Sequence, residues 1–476
     1  MDAEVKSPEF WVNFVVPVGS TLDTARIPTL HDIQEKDGDG IAPLWREVGD
    51  IRPEPRMMPY APYFEQKFVD LEVEHIWRKL WQVACRDEDI PNVGDRISYD
   101  IVHDSYFVVR TAENEFKAYH NVCRHRGRKL CEGLENGDIR CPFHGWTYTN
   151  EGNLKWLPFE QEFPALNRDH HKLVEVQCDT WGGNIFINPD PKASPLADSL
   201  GPLTRHFATY PQEERYTAFK VIVHANCNWK TNQEAFQEGY HVVQTHADGM
   251  PMFGSVATQV DCFSEGKGFV SRVCTPGMTT DTYLIDDVTP KEGLVLFCKA
   301  YDLPLPPEDR GNDPVDARKY AADETRKRIE TMTGKDWSKE PVSYFIDMAK
   351  YFMFPNHHPW WGEGLPWWYK FTPYRDDPTK SVLEFRMLLP IPADGKRPPV
   401  PEALVVDFGQ KAESYAELGA VGHIMDQDVA NMEACQLGMM AAPKGINYAT
   451  TSHYQEQQIT RFYEIYDELL GLDSDD

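Results

Sequence analysis

Two short segments of the sequence each place one cysteine close to one histidine. The first is Cys123-x-His125, and after fifteen residues the second is Cys141-x-x-His144. Structural zinc sites usually pair Cys with Cys and His with His. Here each segment offers one thiolate and one imidazole, which suits a binuclear iron cluster with two thiolates on one iron and two imidazoles on the other. A Cys2His2 zinc site, or buried residues without a metal, are the alternatives.

The alternation of Cys and His matches the ligand set of a Rieske [2Fe–2S] cluster, whose imidazoles raise the reduction potential above that of a four-cysteine ferredoxin. Cys131 lies between the segments at a spacing that fits no ligand, and we expect it to be structural. Basic residues surround the first segment: Arg124, Arg126, Arg128 and Lys129. They would either dock an acidic electron donor or form a solvated loop that offsets the cluster charge.

A second group of residues could bind a single iron ion. His241 and His246 follow Asn228-Trp229-Lys230, with Glu234 and Glu238 between. Two imidazoles and a carboxylate from elsewhere would form a facial triad, which binds Fe(II) and leaves positions open for O2 and substrate. A His-x4-His pair is weak evidence when taken alone, so the surrounding residues have to support it.

Those surroundings resemble a known family. The strings AYHNVCRHRGRKL and CPFHGWTYTNEGNL resemble the Rieske domain of the Rieske non-haem iron oxygenases, which include the large (alpha) subunits of ring-hydroxylating dioxygenases. The resemblance runs from about residue 60 to the C-terminus and includes NWK…E…E-x-YH-x4-H, FPN and QEQQITRFY. It implies that Cys123, His125, Cys141 and His144 bind the [2Fe–2S] cluster. It also implies that His241 and His246 bind the mononuclear Fe(II).

The third iron ligand is expected from MDQDVANMEACQLGM, which contains Asp426, Asp428 and Glu433. The family places its ligand aspartate five residues before a glutamate on the same helix. Asp428 and Glu433 have that spacing, so the resemblance implies Asp428 as the ligand. Asp426 fits better as a solvated helix carboxylate.

Glu238 departs from the family, which usually has aspartate three residues before the first iron histidine. That aspartate bridges this histidine to a cluster histidine of the neighbouring subunit. We assign the bridging, catalytic role to Glu238, because Gly239 permits the small backbone shift that one extra methylene requires, and a shared carboxylate can fix both imidazoles. The alternatives are that Glu238 only holds His241, or that Glu234 is the bridge.

The expected fold class is α+β. A β-sandwich Rieske [2Fe–2S] domain would precede a helix-grip-like catalytic domain built on an antiparallel sheet. The proposed boundaries are 1–58 for an N-terminal arm, 59–195 for a leading helix and the Rieske domain, and 196–476 for the mononuclear iron domain. A charged, proline-rich excursion with one solvated helix is expected at about 302–342.

Local patterns predict individual elements. Residues 63–84 have apolar residues near helical spacing. YFVVR, GGNIFIN and TAFKVIVHANCNW read as strands, whereas KTNQEAFQEGYHVVQTH is helix-like. QEQQITRFYEIYDELLG predicts an amphipathic helix that ends at Gly471, and its apolar face is formed by Ile459, Phe462, Tyr463, Tyr466 and Leu470.

The acidic composition of the chain limits the classes of binding partner that we expect. The chain has 48 Lys plus Arg against 75 Asp plus Glu and a net charge of −27, so nucleic acid and anionic membrane are not expected to bind. The N-terminus lacks the features of a signal peptide, and we expect a cytoplasmic protein with reduced cysteines.

The expected function is that of a terminal oxygenase component. Electrons ultimately from NAD(P)H would arrive through a reductase, a ferredoxin or both, and the family implies a homotrimer, with or without a small β subunit. The Trp-rich HHPWWGEGLPWWYKF could line the pocket for an aromatic substrate, could hold a quaternary ammonium, or could be core packing. Ring dihydroxylation, as in aromatic hydrocarbon catabolism, is favoured over monooxygenation or demethylation of a quaternary amine or methoxy substrate. A simple electron carrier and a zinc-stabilised binding protein are the rival classes.

Overall fold

The computed structural model describes residues 28–472, except 248, 250, 254–256 and 280–287. The part of the expected N-terminal arm before residue 28 therefore lies outside the described residues. The boundaries proposed near residues 58 and 195 stay a prediction. No helix in the described part of the chain is both long enough and apolar enough to cross a membrane.

The first domain contains two antiparallel sheets that pack face to face. Phe107 and Tyr119 of the larger sheet share one apolar core with Ile139, Tyr148 and Leu154 of the smaller sheet, which confirms the predicted sandwich. In spatial order the larger sheet contains seven strands: Gln82–Arg86, Asn184–Asn188, Glu175–Trp181, Glu115–His120, Asp104–Ala112, Arg96–Ile101 and Leu134–Glu135. The smaller contains three: Ile139–Arg140, Thr147–Tyr148 and Leu154–Trp156.

The helix predicted over residues 63–84 is shorter than expected. An α-helix spans Gln66–Glu72 and a π-helical turn continues it through Val73–Trp77. Residues Gln82–Arg86 form a strand instead, and all five are buried. A strand that is covered on both faces has no alternating pattern, so its apolar residues could be read as the end of a helix.

The second domain is built on an eight-stranded sheet, in which one edge pair is parallel and the others are antiparallel. In spatial order the strands are Gln259–Cys262, Val270–Thr275, Met348–Met353, His357–Trp361, Trp367–Tyr374, Asp377–Pro390, Arg215–Ala225 and Leu404–Val406. An additional two-stranded ladder pairs Met57–Pro59 with Tyr448–Thr450.

Helices cover both faces of this sheet. One face contributes Val221, Tyr369 and Phe385 to a core shared with Leu418 and Met425, around the start of a long helix. The described α-helices of the chain are Leu30–Asp37, Pro43–Arg46, Gln66–Glu72, Leu203–His206, Trp229–Glu234, Val242–Thr245, Pro290–Ala300, Pro314–Thr333, Val342–Ile346, Gly419–Ala441 and Gln457–Leu470.

The segment KTNQEAFQEGYHVVQTH forms two short helices rather than one. They span Trp229–Glu234 and Val242–Thr245. Between them the Glu238 carboxylate accepts a hydrogen bond from the backbone N–H of His241 at 3.0 Å. Such a local side-chain bond competes with the helical backbone ladder, which accounts for the break.

The C-terminal helix agrees with its prediction. It spans Gln457–Leu470, and its predicted apolar face is buried: Ile459, Phe462, Tyr463, Tyr466 and Leu470. Gly471 caps it with φ +66°, a left-handed conformation that glycine adopts at little cost.

The prediction of a solvated helix within 302–342 is wrong. The helix Pro314–Thr333 lies against the core and buries Arg318, whose side chain is 2% exposed. Arg318 donates to Asp37 at 2.8 Å and to Asp347 at 2.9 Å. Both carboxylates are distant in sequence, so the local charge pattern could not indicate that this arginine is buried.

The Arg318 cluster should matter for stability. We expect Arg318→Ala to lower the free energy of unfolding by about 3–5 kcal/mol, because it leaves two buried carboxylates without their cation. Urea unfolding followed by tryptophan fluorescence measures the change. Arg326→Ala, on the same helix in an ion pair with Asp323 whose side chains are 29% and 41% exposed, is the control and should cost less than about 1 kcal/mol. Equal losses for the two variants would contradict the interpretation.

Candidate metal centres

The two Cys-His segments fold into matching loops. In the first loop the N–H of Cys123 donates to Arg128 O and the N–H of Gly127 donates to Cys123 O, at 2.8 and 3.0 Å. In the second, Cys141 N–H donates to Trp146 O and Gly145 N–H to Cys141 O, at 2.8 and 2.9 Å. Gly127 and Gly145 have φ of +78° and +74°, so both loops close through a left-handed glycine.

The loops orient their four predicted ligands in a consistent way. Cys123 and Cys141 are each 2% exposed, whereas His125 and His144 are half-buried at the protein surface. The Nδ1 atoms of both histidines are buried without a hydrogen-bond partner, and the two ring centroids lie 4.7 Å apart. A nitrogen buried in this way suits a metal ligand better than a packed side chain. The donor set therefore fits a [2Fe–2S] cluster, for which Cys123 and Cys141 would supply the thiolates and His125 and His144 the imidazoles.

Neighbouring side chains support the loops. The His125 ring stacks on Trp146 at 4.9 Å with an interplanar angle of 4°. The Tyr148 hydroxyl accepts from Arg124 N–H at 3.0 Å and lies 3.5 Å from Cys123 Sγ. A hydroxyl that donates to a ligand sulfur raises the reduction potential of a cluster. The Cys131 thiol contacts Gly133 O at 3.4 Å instead, in agreement with the structural role expected for it.

The second centre brings together His241, His246 and Asp428. One ligand atom from each lies within 4.8 Å of the other two. Asp428 Oδ1 lies 2.9 Å from His246 Nε2 and 3.6 Å from His241 Nε2, and the aspartate is 5% exposed. The histidines lie at the two ends of the helix Val242–Thr245. Two imidazoles and one carboxylate that lie this close together fit the facial triad that binds Fe(II).

Polar contacts hold the helix Gly419–Ala441 against the histidine segment and against the end of the strand Arg215–Ala225. The Gln427 amide oxygen lies 2.8 Å from His246 Nδ1, and Asn431 donates to the Thr245 hydroxyl at 3.1 Å. One turn further, Glu433 accepts from the backbone N–H of Asn226 at 2.8 Å. These contacts fix the position of the helix along its axis and its rotation about that axis, and therefore the position of Asp428.

Glu238 holds the first iron histidine. Its Oε1 lies 2.5 Å from His241 Nδ1, and its Oε2 accepts from His241 N–H at 3.0 Å. The glutamate is 7% exposed, whereas the adjacent Tyr240 is 64% exposed. A carboxylate that fixes the ring nitrogen on the far side of a ligand sets its tautomer and raises its basicity. This geometry agrees with the holding role that was one alternative for Glu238, and it leaves the bridging role a prediction.

Glu234, the other candidate bridge, lies in a different environment. It accepts hydrogen bonds from the hydroxyls of Tyr63 at 2.9 Å and Tyr463 at 2.8 Å. Burial raises the pKa of Glu234 to about 7. The side chain therefore joins the N-terminal part of the chain to the C-terminal helix, and its contacts do not support a bridge from His241.

The Trp-rich strands are divided between the two faces of the sheet. Trp361 and Trp368 belong to the core on the face away from the metal ligands. Trp360, Trp367 and Tyr369 face the iron side, with ring centroids 5.2 to 6.0 Å apart. His357 and His358 are buried between aromatic rings, in agreement with the structural role expected for them.

Sequence reasoning missed two side chains near the iron site. Gln427 directly precedes Asp428, so its position offered a local signal. Lys350 donates from Nζ to the carbonyl oxygen of Glu238 at 2.9 Å. A single lysine in the strand MAKYFM carries no local signal, because only the pairing of strands brings it to the site.

Removal of the proposed carboxylate ligand should affect only one of the two metal centres. We expect Asp428→Ala to lose the mononuclear iron and to keep the cluster, because the two ligand sets share no residue. Iron analysis together with the visible spectrum of the cluster measures both. Asp426→Ala is the control on the same helix: Asp426 caps the backbone N–H groups of Ala412 and Glu413 instead, so that variant should keep both metals. An unchanged iron content in Asp428→Ala would contradict the assignment.

Known proteins contain the same two domains. A model of the Rieske [2Fe–2S] domain matches residues 80–173. A model of the ring-hydroxylating alpha subunit, catalytic domain, matches residues 213–472. The cluster loops lie in the first match, and all three proposed iron ligands lie in the second.

Curated relatives include both monooxygenases and dioxygenases. The chain is 30% identical over 217 residues to the glycine betaine monooxygenase oxygenase subunit of Pseudomonas aeruginosa, an alignment that covers 44% of this chain and 50% of the relative. It is 31% identical over 222 residues to the naphthalene 1,2-dioxygenase large oxygenase component of Pseudomonas putida, covering 43% and 48%. The chain thus spans about half the length of the curated relatives that it matches.

Solved structures share the fold. A quaternary ammonium Rieske monooxygenase in complex with L-carnitine matches with a TM-score of 0.61 at 14% identity, covering 88% of this chain and 96% of that one. A naphthalene 1,2-dioxygenase bound to indole matches with a TM-score of 0.58 at 18% identity, covering 87% and 92%. Because a catalytic-domain model matches more than half of its length and a Rieske model matches the preceding domain, the chain belongs to the ring-hydroxylating alpha-subunit family of Rieske oxygenases.

Proposed function

We propose that this chain is the terminal oxygenase component of a system that hydroxylates an organic substrate with O2. The presence of two separate metal-ligand sets in one chain carries the proposal, since an electron carrier needs only the first and a zinc-stabilised binding protein needs neither arrangement. The cluster supplies one-electron transfer and the mononuclear iron supplies O2 activation when they are bound. The protein's own residues would hold these groups and fix the orientation of their ligands.

Transfer between subunits is part of the proposal. His125 and His144 lie at the protein surface, and Glu238 lies beside the exposed Tyr240, where another subunit could approach. We assign to Glu238 a hydrogen bond with a cluster histidine of a neighbouring chain in a homotrimer. A reductase or ferredoxin is the proposed electron donor.

The basic residues around the first loop differ in how free they are to bind that donor. Arg128 and Lys129 are engaged by Glu132 and Asp100 of the same chain. Arg126 lies 5.4 Å from the ring centroid of Phe143, which is 54% exposed. Arg126 and Phe143 are therefore the better candidates for contact with an acidic donor.

Ring dihydroxylation of an aromatic substrate remains the favoured reaction. The sheet face beside the proposed iron ligands carries aromatic side chains, including Trp360, Tyr369 and Phe385, which are buried in the core beneath the helix of Asp428. Aromatic surroundings of this kind suit a flat apolar substrate. The rings of Trp360, Trp367 and Tyr369 contact each other, with centroids no more than 6.0 Å apart. That spacing leaves no room for an ammonium group between them, so this cluster is not a cage for a quaternary amine.

Monooxygenation of a quaternary amine is the second candidate. Two observations favour it: the similarity to a glycine betaine monooxygenase subunit, and Glu238 in place of the family's usual aspartate. Some members that act on quaternary amines carry glutamate at this position. A cage for such a substrate would have to use side chains other than the three packed rings.

A substrate screen distinguishes the two reactions. The oxidised enzyme would be given hydrogen peroxide with aromatic acids, polycyclic hydrocarbons, methoxy-aromatics and quaternary amines, and the products read by mass spectrometry. We expect a product with two added oxygens and two added hydrogens. A single added oxygen, or a methyl group lost as formaldehyde, would contradict ring dihydroxylation and support the second candidate. The Asp428→Ala enzyme controls for chemistry in solution.

The proposed bridge predicts a specific kinetic effect. Glu238→Gln should keep both metals but slow electron transfer from cluster to iron, because the shared negative charge between two imidazoles is lost. Single-turnover rapid mixing of the reduced enzyme with O2, followed at the cluster absorbance, measures this rate. Glu238→Asp restores the family's usual residue and should transfer at close to the wild-type rate. A normal rate in Glu238→Gln would show that another group makes the connection.

A further inference from the structure

The basic side chains of the catalytic sheet are divided unequally between its faces. Lys350 lies on the strand Met348–Met353 and pairs with Val273 on one side and Trp360 on the other. Directly paired residues of antiparallel strands point to the same face. Lys350 therefore lies on the face that carries Tyr369 and Phe385 and is covered by the helix of Asp428.

Every other lysine or arginine of the described strands of this sheet lies on the opposite face. By strand alternation and pairing these are Arg215, Lys220, Arg272, Lys370, Lys380 and Arg386. Each of these six residues forms an ion pair with a carboxylate, and Asp89 serves two of them. The pairs are Arg215–Glu363, Lys220–Asp89, Arg272–Asp261, Lys370–Glu384, Lys380–Asp377 and Arg386–Asp89. The sheet thus neutralises its basic groups within the fold on that face.

Lys350 has no such partner among the described residues. Its ammonium group donates to the carbonyl oxygen of Glu238 at 2.9 Å and lies 5.7 Å from the ring centroid of Trp360. Burial lowers the pKa of Lys350 to about 8 against the opposing influence of the Glu238 and Asp428 charges, and the residue as a whole is half-buried. An ammonium has three protons to donate, so the one hydrogen bond to Glu238 leaves donor capacity over.

The charges near the iron leave an excess of positive charge. With Fe(II) bound, the ion contributes +2, Asp428 and Glu238 contribute −1 each, and Lys350 contributes +1, so the sum is about +1. The surrounding sheet face is aromatic and aliphatic, and a charge in such surroundings is strongly favoured to acquire a partner.

We propose that Lys350 anchors a carboxylate of the substrate, so that the substrate is an organic acid. The inference rests on the proposed function, because it assigns the substrate class of the same site. Lys350 is a binding and orienting residue here, since it donates to the substrate and takes no part in the oxidation. The carboxylate would fix the distance from Lys350 to the carbon that is hydroxylated.

The experiment compares acids with their neutral amides. Dissociation constants of the anaerobic holoenzyme would be measured by calorimetry for three matched pairs: benzoate, phenylacetate and 2-naphthoate, each with its carboxamide. We expect at least one acid to bind more tightly than its amide. Lys350→Gln should weaken that acid by about ten- to a hundredfold and leave the amide unchanged, as expected for one hydrogen bond to a charged group. Lys350→Arg should retain most of the affinity.

Two controls separate binding from structure. Lys380→Gln removes a lysine from the opposite face of the same sheet and should leave both dissociation constants unchanged. Iron content and the cluster spectrum of Lys350→Gln test whether a change in the hydrogen bond to the Glu238 carbonyl disturbs the metal centres. Equal weakening of acid and amide in Lys350→Gln, or no acid bound better than its amide, would overturn the anchor.

The failure of the anchor and that of the proposed function give different results. Equal oxygenation of an acid substrate by the wild type and by Lys350→Gln, at concentrations below saturation, would overturn the anchor and leave the oxygenase. Acid binding that depends on Lys350, without oxygen in any product of the reconstituted system, would keep the anion site and overturn the proposed oxygenase function.

Discussion

The proposed iron site of the catalytic domain depends on one constraint: three candidate ligands from two distant segments must meet at one point. His241 and His246 lie at the ends of one short helix. Asp428 lies near the middle of the long helix Gly419–Ala441. An ion binds most tightly when the protein already holds the three ligand atoms close together. Here the three atoms lie within 4.8 Å of one another. The polar contacts of Gln427 and Glu433 meet this requirement, because the first ties the long helix to His246 and the second ties it to Asn226, at the end of the strand Arg215–Ala225.

The two domains are joined through the sheet that supports this site. The Asn356 side chain accepts from the N–H of Val83 at 3.0 Å, and Lys370 donates to Ala84 O at 2.9 Å. Val83 and Ala84 belong to the buried edge strand Gln82–Arg86 of the Rieske domain. In the catalytic sheet, Asn356 lies in the turn between two strands and Lys370 lies within a strand. The Tyr63–Glu234–Tyr463 cluster adds a third connection between the beginning and the end of the chain. Each metal centre is therefore held in a framework that extends over the whole described chain.

The sequence predicted those parts of the site that depend on local spacing. The two Cys-His loops each close on themselves through backbone bonds to residues four and five positions away, so residue type and spacing were sufficient. The terminal helix was also predictable, because its apolar face repeats at the helical period. The burial of Arg318, the strand at Gln82 and the contact of Lys350 with Glu238 depend on partners far away in the chain. A local pattern carries no information about such partners, and these features were missed or predicted wrongly.

The central claim is that one chain holds a [2Fe–2S] cluster and a separate iron ion. Its most direct test is the iron and acid-labile sulfide content of the purified protein, combined with electron paramagnetic resonance after anaerobic reduction. The account predicts about three iron atoms and about two sulfides per chain, with the signal of a reduced Rieske cluster. Zinc in place of iron, or iron without sulfide, would contradict it.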